Sequence, residues 1–396
     1  MESMLLLLSL AIGIWMAWNI GANDVANSMG TAVGSGALTP RQAALLAGIM
    51  NFWGAYFFGR AVVNTIKKGI VTPNVLTNPN VVAYGSLTAL MSASIWILSA
   101  TRRGLPVSTT HSIVGGVLGY GLAYGGLNVV IWERVEEIFL SWIVSPILGA
   151  VMAYFLYRGV QKTALVEKKF KRWIPAWSFL AVLLVFLTFC LKVSHSTLIE
   201  GLNFGVPLGT LAFLTSHYGI RELKFEEAVK KTFRKLQVLT SSYVALAHGS
   251  NDVANAVGPI AAIYAVATTG TLGLKVTVPK WILVLGGAGI ALGILTYGHR
   301  VMETVGKRIT EISSPKGFCA EFSAASIILS ASLLGLPIST THIVVGSVVG
   351  TGLTRSIKAI NERLLKDIVI SWFVTVPVTT LMSALLFKGL LMFSSM

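Results

Sequence analysis

Asn23-Asp24-Val25-Ala26-Asn27 returns unchanged as Asn251-Asp252-Val253-Ala254-Asn255, and the reading of the whole chain starts from that duplication. A second block follows each copy in the same order: Gly104-Leu105-Pro106-Val107-Ser108-Thr109-Thr110-His111 returns as Gly335-Leu336-Pro337-Ile338-Ser339-Thr340-Thr341-His342. A third pair, Ser141-Trp142 and Ser371-Trp372, completes the series. Blocks that recur in one order mark an internal repeat. The expected organisation is repeat 1 over 1–157, a central linker over 158–237 and repeat 2 over 238–396.

Outside the blocks the chain is apolar. Its 396 residues are 54% hydrophobic and only 12% charged, with a mean hydropathy of +0.74. Soluble domains carry about a quarter charged residues, so a soluble globular domain is excluded. Apolar runs of roughly 18 to 25 residues, long enough to cross a hydrocarbon core, recur at 4–29, 41–66, 82–101, 106–124, 138–157, 174–192, 198–219, 238–262, 281–304, 318–334, 337–353 and 368–388. An all-α polytopic membrane protein with about twelve membrane segments is expected. The first segment lacks a basic leader region and a small-residue cleavage site, so it reads as a retained helix.

Each repeat holds five segments, an odd number, so the second enters the membrane from the opposite side to the first. Reading 82–124 and 318–353 as re-entrant helical hairpins leaves that parity unchanged. Inverted-topology repeats with a site between them near the midplane form a transporter architecture, and alternating access follows from their near-symmetry. The net charge of +15 reflects this topology and not a nucleic-acid partner, because Lys and Arg of membrane proteins gather in the loops on one side. The strongest basic runs, 158–172 and 221–235, are expected to be cytoplasmic, which puts both termini outside a multi-pass protein of the cell membrane. Two cysteines in apolar surroundings, Cys190 and Cys319, offer neither a disulfide framework nor a zinc cluster.

Of sixteen acidic residues, Asp24, Asp252, Glu321 and Glu200 fall within apolar segments, where a carboxylate is costly unless paired or hydrated. On a helix, Asn23, Asp24 and Asn27 project to one face, as do Asn251, Asp252 and Asn255. Gly21 and Gly30 flank the first cluster and could allow local unwinding that frees carbonyls. Oxygen ligands with one negative charge suit a hard cation of low charge such as Na⁺; the bland alternative is a polar cluster that holds helices together. In the second block, Gly104 and Pro106 break the chain and Ser108, Thr109 and Thr110 open a helix; Ser339, Thr340 and Thr341 repeat the arrangement. Free N–H groups, hydroxyls and a partial positive charge at such a terminus form an oxyanion cradle. His111 and His342 read as packed side chains ahead of proton carriers. His248, where the first copy has Ile20, and Arg102 and Arg103 stay unassigned.

These paired motifs resemble those of the inorganic phosphate transporter (PiT) family, namely Gly21 to Asn27 with Gly249 to Asn255, and Pro106 to His111 with Pro337 to His342. The resemblance spans nearly the whole chain except the central linker. It implies uptake of inorganic phosphate coupled to Na⁺ or H⁺, a homodimer, phosphate held by the Ser-Thr-Thr turns, and Na⁺ near the Asn-Asp clusters. Glu321 matches a family glutamate ahead of the second turn. Asn51 stands where some relatives carry a glutamate, a departure that bears on ion stoichiometry.

The combined reading is a symporter with no catalytic residues and no cofactor beyond Na⁺ as coupling ion. Phosphate is assigned to Ser108, Thr109, Thr110, Ser339, Thr340 and Thr341. Na⁺ is assigned to Asn23, Asp24, Asn27, Asn251, Asp252, Asn255 and Glu321. Membrane lipid surrounds the protein and nucleic acid is no partner. An H⁺-coupled carrier and a sulfate permease on the same scaffold are the nearest alternatives. An intramembrane hydrolase would need one competent site where the groups occur twice, and an anion channel would need a ring of basic residues.

Overall fold

The computed structural model describes residues 2–68, 79–193, 197–269, 278–303, 306, 309–333 and 338–394. Among them run α1 (Glu2–Gly34), α2 (Pro40–Lys68), α3 (Pro79–Arg102), α4 (Thr109–Gly125), α5 (Trp132–Lys162), α6 (Phe170–Val193), α7 (Leu198–Ile220), α8 (Phe225–Thr269), α9 (Lys280–Tyr297), α10 (His299–Glu303), α11 (Ser314–Leu333), α12 (Thr340–Leu353) and α13 (Glu362–Ser394). The described residues are helical without strands, as a bilayer demands of segments that must satisfy their own backbone groups. Among the described residues, seven helices, α1, α3, α5, α6, α7, α9 and α13, are long and apolar enough to cross a membrane.

Several boundaries differ from the sequence reading for identifiable reasons. The run 281–304 divides at Gly298 into α9 and α10. The basic stretch 221–235, expected as a loop, is largely the start of the 45-residue α8, whose first turn carries Glu226 and Glu227 where the helix dipole favours acidic side chains. Glu200 lies at a helix start, where it completes a capping box with Thr197 and is exposed. Gly335, Leu336 and Pro337 of the second block lie outside the described residues.

Helices of the two halves interlock. α1 packs on α9 and α2 on α8; α4 packs on α13 and α12 on α5. Glycines set these close approaches: a Cβ on Gly21 would fall 2.0 Å from the Ile290 carbonyl oxygen, and one on Gly249 2.2 Å from that of Asn51. A Cβ on Gly346 would meet the Pro146 carbonyl oxygen at 2.2 Å. Small residues at such crossings let membrane helices pack through their backbones. Unwinding at Gly21 and Gly30 does not occur, because α1 is helical throughout; Gly21 lies against Ile290 of α9 and the Gly30 carbonyl against Gly306.

α4 and α12 have 17 and 14 residues, about 25 and 21 Å at 1.5 Å per residue, against a hydrocarbon core of about 30 Å. Their first residues, Thr109 and Thr340, are buried. Two helices therefore begin inside the protein.

Candidate functional site

The interior helix starts are built by the sequence around them. Gly104, at φ 68°, closes α3: its N–H donates to the Thr101 carbonyl (3.0 Å) and that of Leu105 to Ala100 (3.1 Å), the Schellman pattern. Pro106 donates no hydrogen bond through its nitrogen. Ser108 then caps α4 by accepting from the His111 N–H (3.1 Å), and Ser339 caps α12 by accepting from the His342 N–H (3.3 Å).

Asn23 holds the first break in place. Its amide nitrogen donates to Thr101 Oγ1 (2.8 Å) and the Leu105 carbonyl (3.1 Å), and its oxygen accepts from Val107 N–H (3.1 Å). Of the first Asn-Asp cluster, Asp24 and Asn27 face the helix starts instead.

Asp24 and Asp252, both fully buried, meet the two helix starts through contacts that recur with the halves exchanged. Thr109 Oγ1 donates to Asp24 Oδ2 (2.9 Å), and Thr340 Oγ1 to Asp252 Oδ2 (2.8 Å). Asn27 Nδ2 donates to Thr341 Oγ1 (2.9 Å), and Asn255 Nδ2 to Thr110 Oγ1 (3.2 Å). Thr341 Oγ1 donates to the Val107 carbonyl and Thr110 Oγ1 to that of Ile338, both at 3.3 Å. Each helix start is thus tied to the break preceding the other. Asn251 is buried beside Asp252.

His248 stands between the carboxylates. Its Nε2 lies 2.8 Å from Asp252 Oδ2 and 3.5 Å from Asp24 Oδ2, and its Nδ1 meets Asn51 Oδ1. Asn51 Nδ2 donates to the Ala47 carbonyl (2.8 Å), which leaves its oxygen to accept and places a proton on His248 Nδ1. Ligand atoms of Asp24, His248 and Asp252 all lie within 4.8 Å of one another. The sequence reading left His248 unassigned; its place four residues before Asp252, on the same helical face, is the signal that could have found it.

His111 and His342 sit behind the helix starts as packed rings. His111 stacks on Trp142 at 3.5 Å and His342 on Trp372 at 3.7 Å, and the two imidazoles meet at 4.4 Å. His342 Nδ1 also contacts the Trp142 carbonyl (3.1 Å). The tryptophans of the repeated Ser-Trp pairs therefore brace the repeated histidines.

Glu321 is not part of the Asp24–Asp252 cluster. Buried on α11, it accepts from Thr31, from Thr240 Oγ1 (2.7 Å) and from Ser241 Oγ (2.8 Å). Thr31 is seven residues beyond Asp24 on α1, about 10 Å of helix, and Ser241 is eleven residues before Asp252 on α8. The fold thus carries two buried acidic centres lined by hydroxyls.

The larger centre offers hard oxygen ligands beside two converging helix N-termini, so it can hold a small cation and an oxyanion in contact. A multi-pass helical membrane protein with such a centre between duplicated motifs has the form of a solute carrier. The chain belongs to the phosphate transporter family, whose model matches residues 20–383. A Pyrococcus furiosus protein provisionally named a phosphate permease is 54% identical over 98% of this chain and 97% of its own length. A chloroplastic inorganic phosphate transporter of Arabidopsis thaliana is 38% identical over 93% of this chain and 69% of its own. A solved structure described as the sodium-dependent phosphate transporter is 44% identical, with a TM-score of 0.91 over 98% of this chain and 99% of that one. The protein is a transporter and not an enzyme.

Proposed function

We propose that the protein is a symporter that imports inorganic phosphate together with Na⁺ by alternating access. The observation that carries this reading is the meeting of Asp24 and Asp252 with threonines from both interior helix starts. Phosphate is held by Ser108, Thr109, Thr110, Ser339, Thr340 and Thr341, whose hydroxyls can turn to donate, and by the free N–H groups of α4 and α12. Na⁺ binds at Asp24, Asn27, Asp252 and Asn255. Asn27 Oδ1 supports that assignment, being buried without a hydrogen-bond partner. Asn23 braces the break before α4 that presents Thr109 and Thr110, and Glu321 with its hydroxyl ring is a separate Na⁺ position.

Charge makes the two solutes interdependent. An anion of this size is too costly to bury beside two carboxylates unless cations accompany it. Neither ion occupies the centre well without the other, and that mutual requirement is the coupling. Arg102 and Arg103, exposed beside the first break, sit one and two residues past the Thr101 that binds Asn23. Their charge at that depth favours an aqueous approach and draws the anion in.

The architecture proposed is two inverted repeats, 1–157 and 238–396, joined by the linker 158–237. About twelve segments include hairpins α3–α4 and α11–α12 that enter and leave on one side. Both termini lie outside the cell membrane, and two copies form a dimer.

The test is uptake of labelled phosphate into proteoliposomes. An imposed Na⁺ gradient is expected to drive accumulation, and excess sulfate to leave it unchanged. Accumulation driven by a pH gradient in Na⁺-free buffer would replace Na⁺ by H⁺ as the coupling ion. Suppression by sulfate would make the protein a sulfate carrier.

A further inference from the structure

The linker helices α6 and α7 pack tightly on each other through Gly201, Gly205 and Gly209, which face Leu187, Leu183 and Phe179. They meet α8 less closely. Two cavities open along that seam, of about 220 Å³ and about 240 Å³, and Leu239 lines both. The first is bounded by Ser178, Ala212 and Leu236, with Lys231 and Lys235 at its edge. The second continues past Val185 and Phe189 to Leu246 and is lined almost wholly by apolar side chains. α6 and α8 both start from the face carrying the basic stretches, since Phe170 at the head of α6 packs on Phe225 at the head of α8. The two cavities therefore succeed each other from that face inward. From Lys231 to Leu246 the seam follows about 22 Å of helix, somewhat more than one leaflet of a hydrocarbon core about 30 Å thick.

Lys231 and Lys235 are exposed at the outer end of this seam. Among the described residues, neither pairs with a carboxylate. A largely apolar channel somewhat deeper than one leaflet, with two unpaired cations at its mouth, matches in shape and complements in charge one kind of molecule: a chain of hydrocarbon ending in a negative head. We infer that the seam between α6 and α8 is a binding site for an anionic phospholipid, with an acyl chain along Leu239 and the headgroup phosphate at Lys231 and Lys235. The lipid fills space that the side chains leave open and links the linker hairpin to the helix that carries His248 and Asp252. Ser178 and Ser216, hydrogen-bonded at 3.2 Å, line the seam just below the lysines and offer hydroxyls to the ester region.

Native mass spectrometry of the purified full chain, with equimolar phosphatidylglycerol and phosphatidylcholine of the same acyl chains, tests the site. Wild type is expected to retain phosphatidylglycerol about thirtyfold over phosphatidylcholine, the preference two surface lysines confer. Lys231→Gln with Lys235→Gln should bring the ratio to parity, and Leu239→Trp should reduce retention of both lipids by filling the seam. Parity in wild type, or an unchanged ratio in the double variant, overturns the proposal. So does displacement of phosphatidylglycerol by excess inorganic phosphate, which would assign the lysines to a free anion. A Thr215→Cys variant that crosslinks to itself in vesicles would place a second copy over the seam and overturn it as well.

Discussion

The two halves share the main contacts of the hydroxyl, amide and aspartate groups in the polar centre, and differ most where a further ionisable group enters. Thr109 on Asp24 and Thr340 on Asp252 are the same contact at nearly the same length. The crossed bonds from Thr110 and Thr341 match at 3.3 Å, and the imidazole–indole stacks match within 0.2 Å. Against this, only the second half supplies His248, at the position held in the first by Ile20, and only it supplies Glu321, opposite Leu90. On the proposed function, the shared groups form one site between two near-equivalent halves, which suits a site that opens to either side. The unshared groups change the charge around it: His248 stands between the two aspartates, while Glu321 makes a second acidic centre of its own.

Substitutions that break this comparison come first. Asp24→Asn and Asp252→Asn should each abolish phosphate uptake, by more than about 100-fold, because loss of one member of a buried charged cluster costs about 3–5 kcal/mol. Proteoliposome uptake at matched protein content checks it, and a tenfold disparity between the two would deny their equivalence. Thr109→Val and Thr340→Val should each lower uptake about 10-fold or more through loss of a hydrogen bond to a charged group, about 1.5–3 kcal/mol. Serine at either position should restore most of the activity in the same assay.

Sharper tests use the unshared groups. Glu321→Gln should raise the Na⁺ concentration needed for half-maximal uptake about tenfold while moving the phosphate KM less than about threefold, given one carboxylate fewer in a buried site. Equal shifts in both would merge Glu321 with the Asp24 centre. The smallest effect belongs behind the helix starts. Trp142→Phe should lower thermal stability by about 1 kcal/mol through a weaker stack on His111, measured by scanning fluorimetry, with phosphate KM unchanged.

The helical membrane fold, the duplication and the paired Ser-Thr-Thr turns were legible because each is a local pattern: apolar length, exact repetition, Gly and Pro followed by a cap. Ser108 and Ser339 cap their helices at the positions the sequence marks. What was not legible depends on contacts between segments far apart in the chain. Asn23 and Asn27 have the same chemistry, yet one braces the break before α4 while the other reaches α12. Glu321 looked like a partner of the aspartates until α11 placed it among the hydroxyls of α1 and α8. His248 was invisible as a site residue because no copy of it exists in the first half; only helical register pointed to Asp252. Gly21 carried a double meaning, and helix crossing decided it against unwinding.

Equilibrium binding of labelled phosphate to the purified protein, in Na⁺ and in choline buffer, is the most direct check that both halves enclose one site shared by anion and cation. Binding should be strong in Na⁺, weak in choline, and lost alike in Asp24→Asn and Asp252→Asn. Equal binding in choline, or wild-type binding in either variant, would contradict a shared site.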